Sequence, residues 1–317
     1  MHQMKSHAAE QTDEFADARK AGGLRPAFRA LRVHQWIKNL LVFVPVLLAH
    51  RVLDAPLMLA AACAFFAWCL AASSVYLVND LLDLEADRRH PHKRHRPLAA
   101  GTLKAKTAAV LVPLLLVPGL VLAFYFLPPL FVLALLLYLA LSTAYSLFLK
   151  RLMVVDVMVL AGLYTLRVLS GGIATGVAVS PWLLAFSMFL FLSLAFVKRY
   201  TELRATSAAD DAHGGASRRG YTRDDMELLK SFGTSSGYLS VLVLALYINQ
   251  SREVTMLYRS PAALWLIGPC LLYWITRVWL LASRGKMHED PVVFTVKDPV
   301  SYALGALIAA LIVAASL

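Results

Sequence analysis

The chain has 317 residues, of which 59% are hydrophobic and 16% are charged, with a mean hydropathy of +0.63 and a formal net charge of +11. Soluble domains carry about 25% charged residues, so this composition excludes an ordinary soluble protein and predicts an all-α integral membrane protein. No nucleic-acid partner is expected. Three cysteines within apolar segments, without ligand spacing, argue against both a disulfide framework and a zinc site.

The N-terminal residues 1–30 are polar and mixed in charge. Gly22, Gly23 and Pro26 disfavour a helix there, and no apolar core of signal-peptide length is present. We therefore expect a mobile polar tail over residues 1–30, no cleavable signal, and a single transmembrane domain over residues 31–317.

Nine apolar segments follow the tail and predict a bundle of nine transmembrane helices. The segments cover residues 40–53, 57–79, 107–126, 128–148, 153–174, 181–198, 234–250, 261–282 and 299–317. Most approach the roughly 20 residues that cross a bilayer, whereas the first is short and needs its amphipathic lead-in.

Lysine and arginine are concentrated on one side of this predicted bundle. They lie in the N-terminal region and in the loops near residues 88–106, 149–152, 199–233 and 284–298. The positive-inside rule places these segments in the cytoplasm and the C-terminus outside. We expect the loops 88–106 and 199–233 to cover one cytoplasmic mouth, where an active site would lie.

A stripe of carboxylates ends the second predicted span. On a helix, Asp80, Asp83 and Asp87 recur at i, i+3 and i+7 and fall within about 60° of one another, with Asn79 beside them. Carboxylates this close repel one another unless a cation separates them, and Mg²⁺ prefers carboxylate and phosphate oxygens. The stripe predicts a Mg²⁺ and diphosphate site, the alternative being a helix that becomes charged as it reaches water.

Two groups of cations are candidates for binding the rest of a phosphorylated substrate. Lys93, Arg94 and Arg96 follow the stripe, although the positive-inside rule explains them equally well. Lys198 and Arg199 end the sixth predicted span, where they suit an anion beside the diphosphate. The alternative there is a surface ion pair between Lys198 and Glu202 at i, i+4, worth only a few tenths of a kcal/mol.

Arg167 lies in the middle of the fifth predicted span. Burying a lone guanidinium in a bilayer costs at least about 2.5 kcal/mol, so we expect it to face a polar cavity and meet an anion. Asp156 is about 16 Å away along the helix, too far for a direct pair. Tyr145 and Lys150 are weaker candidates for substrate binding, and Lys150 also suits a role as an interfacial anchor.

The segment from Asn79 to Asp87 resembles the NDxxDxxxD first motif of the UbiA superfamily of intramembrane prenyltransferases, and the nine-span layout is similar to that family's fold. The chain departs from the second Asp-rich motif, offering Lys198, Arg199, Tyr200 and Glu202 instead. Together with HQWIKNLLVF at 34–43, which contains Lys38, RGYT at 219–222 and RGKMHEDPVVF at 284–294, the departure resembles the decaprenyl-phosphate phosphoribosyltransferase branch.

This resemblance implies Mg²⁺-dependent transfer of 5-phosphoribose from phosphoribosyl diphosphate to a polyprenyl phosphate, in a bacterial-type cytoplasmic membrane and in service of the cell envelope. It assigns Mg²⁺ and the diphosphate to Asp80, Asp83 and Asp87. The residues themselves add Lys198 and Arg199 for a substrate phosphate, so we expect Asp80, Asp83, Lys198 and Arg199 to be catalytic. The expected substrate-binding residues are Asn79, Lys93, Arg94, Arg96, Tyr145, Lys150, Arg167, Glu202 and Lys38. The alternatives are prenyl transfer from a prenyl diphosphate to an aromatic or other acceptor, and, from another class, an anionic-solute transporter using Arg167 and the basic loops.

Overall fold

The computed structural model describes residues 24–89, 93–210, 220–287 and 290–316, and all regular structure in those ranges is helical. The α-helices are α1 (Leu24–Ala30), α2 (Val44–Leu48), α3 (Ala55–Leu82), α4 (Leu84–Arg89), α5 (Ala105–Phe126), α6 (Pro129–Leu147), α7 (Val155–Thr175), α8 (Pro181–Asp210), α9 (Met226–Gln250), α10 (Arg252–Leu257), α11 (Ile267–Ser283), α12 (Pro291–Lys297) and α13 (Pro299–Ser316). Short 3₁₀ helices cover Val33–Phe43, Lys93–His95, Leu149–Arg151, Arg223–Asp225 and Pro261–Leu266.

Eight helices in the described ranges are long and apolar enough to cross a membrane. They are Ala55–Leu82, Ala105–Phe126, Pro129–Leu147, Val155–Thr175, Pro181–Ala205, Arg223–Gln250, Pro261–Ser283 and Pro299–Ser316. Each overlaps one of the nine predicted spans. The protein is therefore an all-α, multi-pass membrane protein, as its composition predicts.

The first predicted span, 40–53, differs from the others. It consists of the end of the 3₁₀ helix Val33–Phe43 followed by α2, and Val33–Leu48 is shorter than a membrane span. Pro45 lies in the first turn of α2, where its missing N–H costs nothing. His50 adopts a left-handed φ of 56° just after α2, which ends the helix.

Three further boundaries differ from the sequence prediction. The seventh predicted span was expected to begin at residue 234, yet α9 begins at Met226. The tail expected over residues 1–30 gives way to α1 at Leu24, because Pro26 falls in the first turn, where a helix tolerates proline. The sixth predicted span was expected to end at residue 198, yet α8 continues to Asp210. Lys198 and Arg199 therefore lie within a helix and point in different directions. His90 to His92 and residues 211–219 lie outside the described ranges.

The described chain divides into two compact units. The first comprises the described residues of Met1–Trp36 and Phe66–Tyr125. Its core contains Leu77, Leu98 and Leu103. The Trp36 indole donates a 3.0 Å hydrogen bond to Ser73 Oγ, and Ser73 donates at 2.9 Å to the carbonyl of Leu31. These bonds attach the chain before α2 to the side of α3.

The second unit comprises Ile37–Phe65 and the described residues of Phe126–Leu317. Its main core is built where α8 packs against α7 and α9, with α11 against both α8 and α9. Close helix approach depends on glycine, because a Cβ at Gly233 would overlap the Trp279 ring. Trp279 also donates to Ser193 Oγ at 3.1 Å, which fixes α11 against α8.

Gly171→Ala tests this close packing. A Cβ at Gly171, on α7, would overlap the backbone of Val42, which has no flexible end to move aside. We expect a loss of about 1–3 kcal/mol in stability, measured as a lower Tm in detergent. Gly162→Ala on the same helix is the control, because a Cβ there meets nothing within 4 Å. Equal Tm values for the two variants would contradict the packing described.

Candidate active site

The carboxylate stripe in the first unit lies on a nearly continuous helix. Although α3 ends at Leu82, the backbone hydrogen bonds of a helix continue. The amide of Asp83 donates to the carbonyl of Asn79 at 2.9 Å, and the amide of Asp87 donates to the carbonyl of Asp83 at 2.8 Å. The helical ladder therefore passes through Asp83 into α4. This keeps the i, i+3, i+7 spacing that the sequence predicts.

Two arginines form ion pairs with Asp80 and Asp87 of this stripe. Arg96 Nη1 lies 3.2 Å from Asp80 Oδ1 and 2.6 Å from Asp87 Oδ2, so carboxylates seven residues apart share one nitrogen. Arg32 forms a second ion pair with Asp80, and its guanidinium lies 5.1 Å from the centre of the Tyr76 ring. Asp80 is only 2% exposed. Buried carboxylates of this kind require a cation.

The donors of the stripe fit Mg²⁺ when a substrate supplies the remaining oxygens. Within the described ranges, no three His, Cys, Asp or Glu side chains converge closely enough to hold a metal by themselves. Mg²⁺ usually takes one or two protein carboxylates and completes its shell with water and phosphate oxygens. Asp80, Asp83 and Asp87 provide hard oxygen donors of that kind, with the amide of Asn79 beside them.

In the second unit, two lysines converge on one carboxylate. Lys38 Nζ lies 2.8 Å and Lys198 Nζ lies 3.2 Å from the same oxygen, Oδ2 of Asp290. Asp290 also caps α12 by accepting from the amide of Val292 at 3.1 Å, and Tyr164 Oη approaches it at 3.4 Å. Burial opposes ionisation here, yet Lys198 and Lys38 hold the pKa of Asp290 well below its usual range. Its carboxylate is therefore charged at neutral pH.

Arg199 belongs to a different, buried group of side chains. It is 2% exposed, and its Nε lies 2.6 Å from Asp156 Oδ2. It also pairs with Glu202, and its Nη2 donates to Tyr145 Oη at 3.3 Å. The surface pair considered from the sequence joined Glu202 to Lys198. In the structure Glu202 pairs with Arg199, its neighbour at i, i+3 on α8.

Arg167 is held by polar and aromatic groups of the second unit. Its Nε donates to Asn39 Oδ1 at 2.9 Å, and its Nη1 donates to the carbonyl of Leu163 at 2.5 Å. The guanidinium lies 5.1 Å and 5.6 Å from the ring centres of Tyr138 and Tyr164. Asp156 binds Arg199, in keeping with the distance argument that excluded it as a partner of Arg167.

The remaining predicted residues lie outside these groups. Lys93 and Arg94 lie in the 3₁₀ helix Lys93–His95, and Arg94 Nε points to His95 at 3.5 Å. Lys150 lies half-buried in the 3₁₀ helix Leu149–Arg151. The residues that sequence analysis did not select are Arg32, Asp290 and Tyr221. Asp290 lies within the RGKMHEDPVVF motif and Tyr221 within the RGYT motif. These motifs supported the family resemblance but did not predict which residues Asp290 and Tyr221 contact.

Comparison with known proteins gives one family. The model of the UbiA prenyltransferase family matches residues 40–298. Among solved structures, a UbiA homolog from Archaeoglobus fulgidus bound to GPP and Mg²⁺ superimposes with a TM-score of 0.68, at 17% identity, covering 92% of this chain and 99% of that one. At such low identity this likeness concerns the fold.

Three relatives with higher sequence identity carry names that point to different functions or to none. Protein y4nM of Sinorhizobium fredii is 40% identical over 90% of this chain, and this chain covers 55% of its length. Nodulation protein NoeC of Azorhizobium caulinodans is 38% identical over 85% of this chain and 86% of its own length. The decaprenyl-phosphate phosphoribosyltransferase of Mycolicibacterium smegmatis is 37% identical over 63% of each chain.

Proposed function

The chain belongs to the UbiA prenyltransferase family, and on that premise we propose that it transfers 5-phosphoribose from phosphoribosyl diphosphate to a polyprenyl phosphate. Diphosphate is the leaving group. Family membership alone implies a multi-pass membrane enzyme, and the proposal adds its donor and acceptor substrates. It also replaces the transporter considered from the sequence, because the family is one of transferases.

The observation that carries the proposal is the convergence of Lys38 and Lys198 on Asp290. Both ammonium groups approach one oxygen, where Lys38 and Asp290 are largely buried. Ammonium groups form charge-assisted hydrogen bonds with phosphate oxygens, which a ribose 5-phosphate or a lipid phosphate would supply. The name of the Mycolicibacterium relative supports the same pair of substrates.

We assign the diphosphate of the sugar donor to the first unit. Asp80, Asp83 and Asp87 would hold Mg²⁺, whose positive charge stabilises a departing diphosphate. Asn79 and Arg96 lie beside these carboxylates and have donors for phosphate oxygens.

We assign a substrate phosphate to Lys38 and Lys198 in the second unit. An oxygen of the lipid phosphate forms a bond to C1 of the ribose as the bond from C1 to diphosphate breaks, and the electron pair leaves with diphosphate. A phosphate monoester is already anionic at neutral pH, so no strong general base is needed. The lysines bind and orient this anion rather than transfer a proton.

We further propose that the Asp stripe faces the cytoplasm in a bacterial-type cytoplasmic membrane, with the N-terminus inside and the C-terminus outside. Lysine and arginine support this orientation, because they concentrate in alternate connections between the spans. The same side supplies phosphoribosyl diphosphate, a soluble and highly charged metabolite.

The proposal is tested with purified protein in detergent, Mg²⁺, decaprenyl phosphate and phosphoribosyl diphosphate labelled in its ribose. We expect the label to enter the lipid fraction, and mass spectrometry to find the lipid heavier by one phosphoribosyl group. A chelator added before the donor should stop the transfer.

A parallel reaction offers geranyl diphosphate or a longer prenyl diphosphate with an aromatic acid. If phosphoribosyl diphosphate is left intact while the aromatic acid is prenylated, the proposal is wrong and the alternative considered from the sequence holds. That alternative is weaker because the second Asp-rich motif is replaced by Lys198, Arg199 and Glu202.

A further inference from the structure

A tyrosine from the RGYT motif joins two segments of the second unit. Tyr221 is buried, and its hydroxyl donates to Asp156 Oδ1 at 2.7 Å while accepting from the amide of Val154 at 2.8 Å. Gly220 has a left-handed φ of 74° and passes close to the carbonyl of Arg151. The chain entering α9 is therefore fixed to the start of α7.

The start of α7 has a conformation that needs such support. Val154 has a φ of 66°, in the left-handed region that a β-branched residue rarely adopts. Its amide faces Tyr221, whose hydroxyl satisfies it. Burial, together with the hydrogen bond to Asp156, raises the pKa of Tyr221 above its usual range. The hydroxyl therefore stays protonated and donates to Asp156 throughout the physiological range.

Asp156 connects the start of α7 to α8 through Arg199. It is fully buried, and its second oxygen binds Arg199, which also binds Glu202 and Tyr145. An apolar pair of similar volume would pack at least as stably as a buried ion pair. The contacts of Arg199 with Asp156, Glu202 and Tyr145 instead fix one orientation of its guanidinium, and with it the rotation of α8 about its axis.

The rotation of α8 decides where Lys198 points. Lys198 and Arg199 are consecutive, so a helix holds their side chains about 100° apart. With Arg199 directed at Asp156, Lys198 is directed at Asp290 and Lys38. We infer that Tyr221 and Asp156 are positioning residues, which orient Lys198 through Arg199 without touching substrate. For its effect on turnover, this inference rests on the proposed function.

The first test needs no substrate. Lys198 is labelled with a small amine-reactive reagent in purified protein, and its modification rate is measured by peptide mass spectrometry. Tyr221→Phe and Asp156→Asn are expected to change that rate by at least about threefold, the effect of one lost buried hydrogen bond. Tyr238→Phe is the matched control, because the Tyr238 hydroxyl forms a hydrogen bond with exposed Thr276, at 3.1 Å. A rate that stays at the wild-type value in Tyr221→Phe overturns the inference.

The second test uses turnover. Tyr221→Phe is expected to raise KM for the phosphate substrate about tenfold, with kcat and the Mg²⁺ optimum little changed. A loss of kcat alone would indicate a general structural defect and overturn the inference. If wild-type protein does not use phosphoribosyl diphosphate, the proposed function fails, and the labelling rates alone decide the inference. Should Asp156→Asn not fold, Tyr221→Phe carries both tests.

Discussion

Asp83→Asn is expected to reduce phosphoribosyl transfer by at least about a hundredfold while the protein folds normally, because the substitution removes a charged Mg²⁺ donor and keeps its size. Asp83 is the best position on the stripe for this experiment. Asp80 is buried and pairs with Arg32 and Arg96, so replacing it leaves two guanidinium groups without their counter-charge. Asp83 is partly exposed, and stability should change little.

The measurement is the initial rate of label transfer over a Mg²⁺ titration, with Tm in detergent recorded on the same preparation. Glu85→Gln is the control, because Glu85 is an exposed carboxylate two residues away and lies off the stripe. It should retain activity within about twofold of wild type. The metal assignment is wrong if Asp83→Asn retains wild-type rates, or if Glu85→Gln loses as much activity.

Hydropathy was sufficient to predict most of the fold. A bilayer demands about 20 apolar residues per helix, and this demand is local in sequence, so eight spans were found, six of them with both boundaries within three residues of those observed. The prediction from hydropathy failed around residues 40–53, where the apolar chain forms a 3₁₀ helix and the short α2. Hydropathy measures only how apolar a segment is. It does not detect that a new helix starts with Pro45 in its first turn and ends before His50, which has a left-handed φ.

The carboxylate stripe was predictable for the same reason. Asp80, Asp83 and Asp87 are neighbours on one helix, so their spacing determines which side they share. The sequence also indicated that they need a cation. What it did not reveal is that Arg32 pairs with Asp80, because the two residues lie 48 positions apart along the chain.

The cationic group was predicted only in part, since long-range contacts define it. Lys38 and Lys198 were both selected, but Asp290 joins them from positions 252 and 92 residues away. Arg199 was assigned the same role as Lys198 because the helix was expected to end beside them. Since α8 continues, the two residues face different partners, and Arg199 is enclosed by Asp156, Glu202 and Tyr145.

Lys38→Gln and Lys198→Gln are each expected to raise KM for the phosphate substrate about tenfold, and the double variant about a hundredfold, because each removes a charged hydrogen-bond donor. The Mg²⁺ optimum should stay unchanged, since the stripe in the first unit is intact. Lys230→Gln is the control, because Lys230 is exposed and lies 3.8 Å from Glu227. It should leave KM at the wild-type value.

Removing both lysines leaves the buried charge of Asp290 without either ammonium group, which costs stability and raises its pKa, because burial opposes ionisation. A triple variant that also carries Asp290→Asn removes that charge, so Tm should recover while KM stays high. This combination separates binding from folding. If KM returned to wild type together with Tm, the lysines would serve only to neutralise Asp290. The assignment of a substrate phosphate to these lysines would then be wrong.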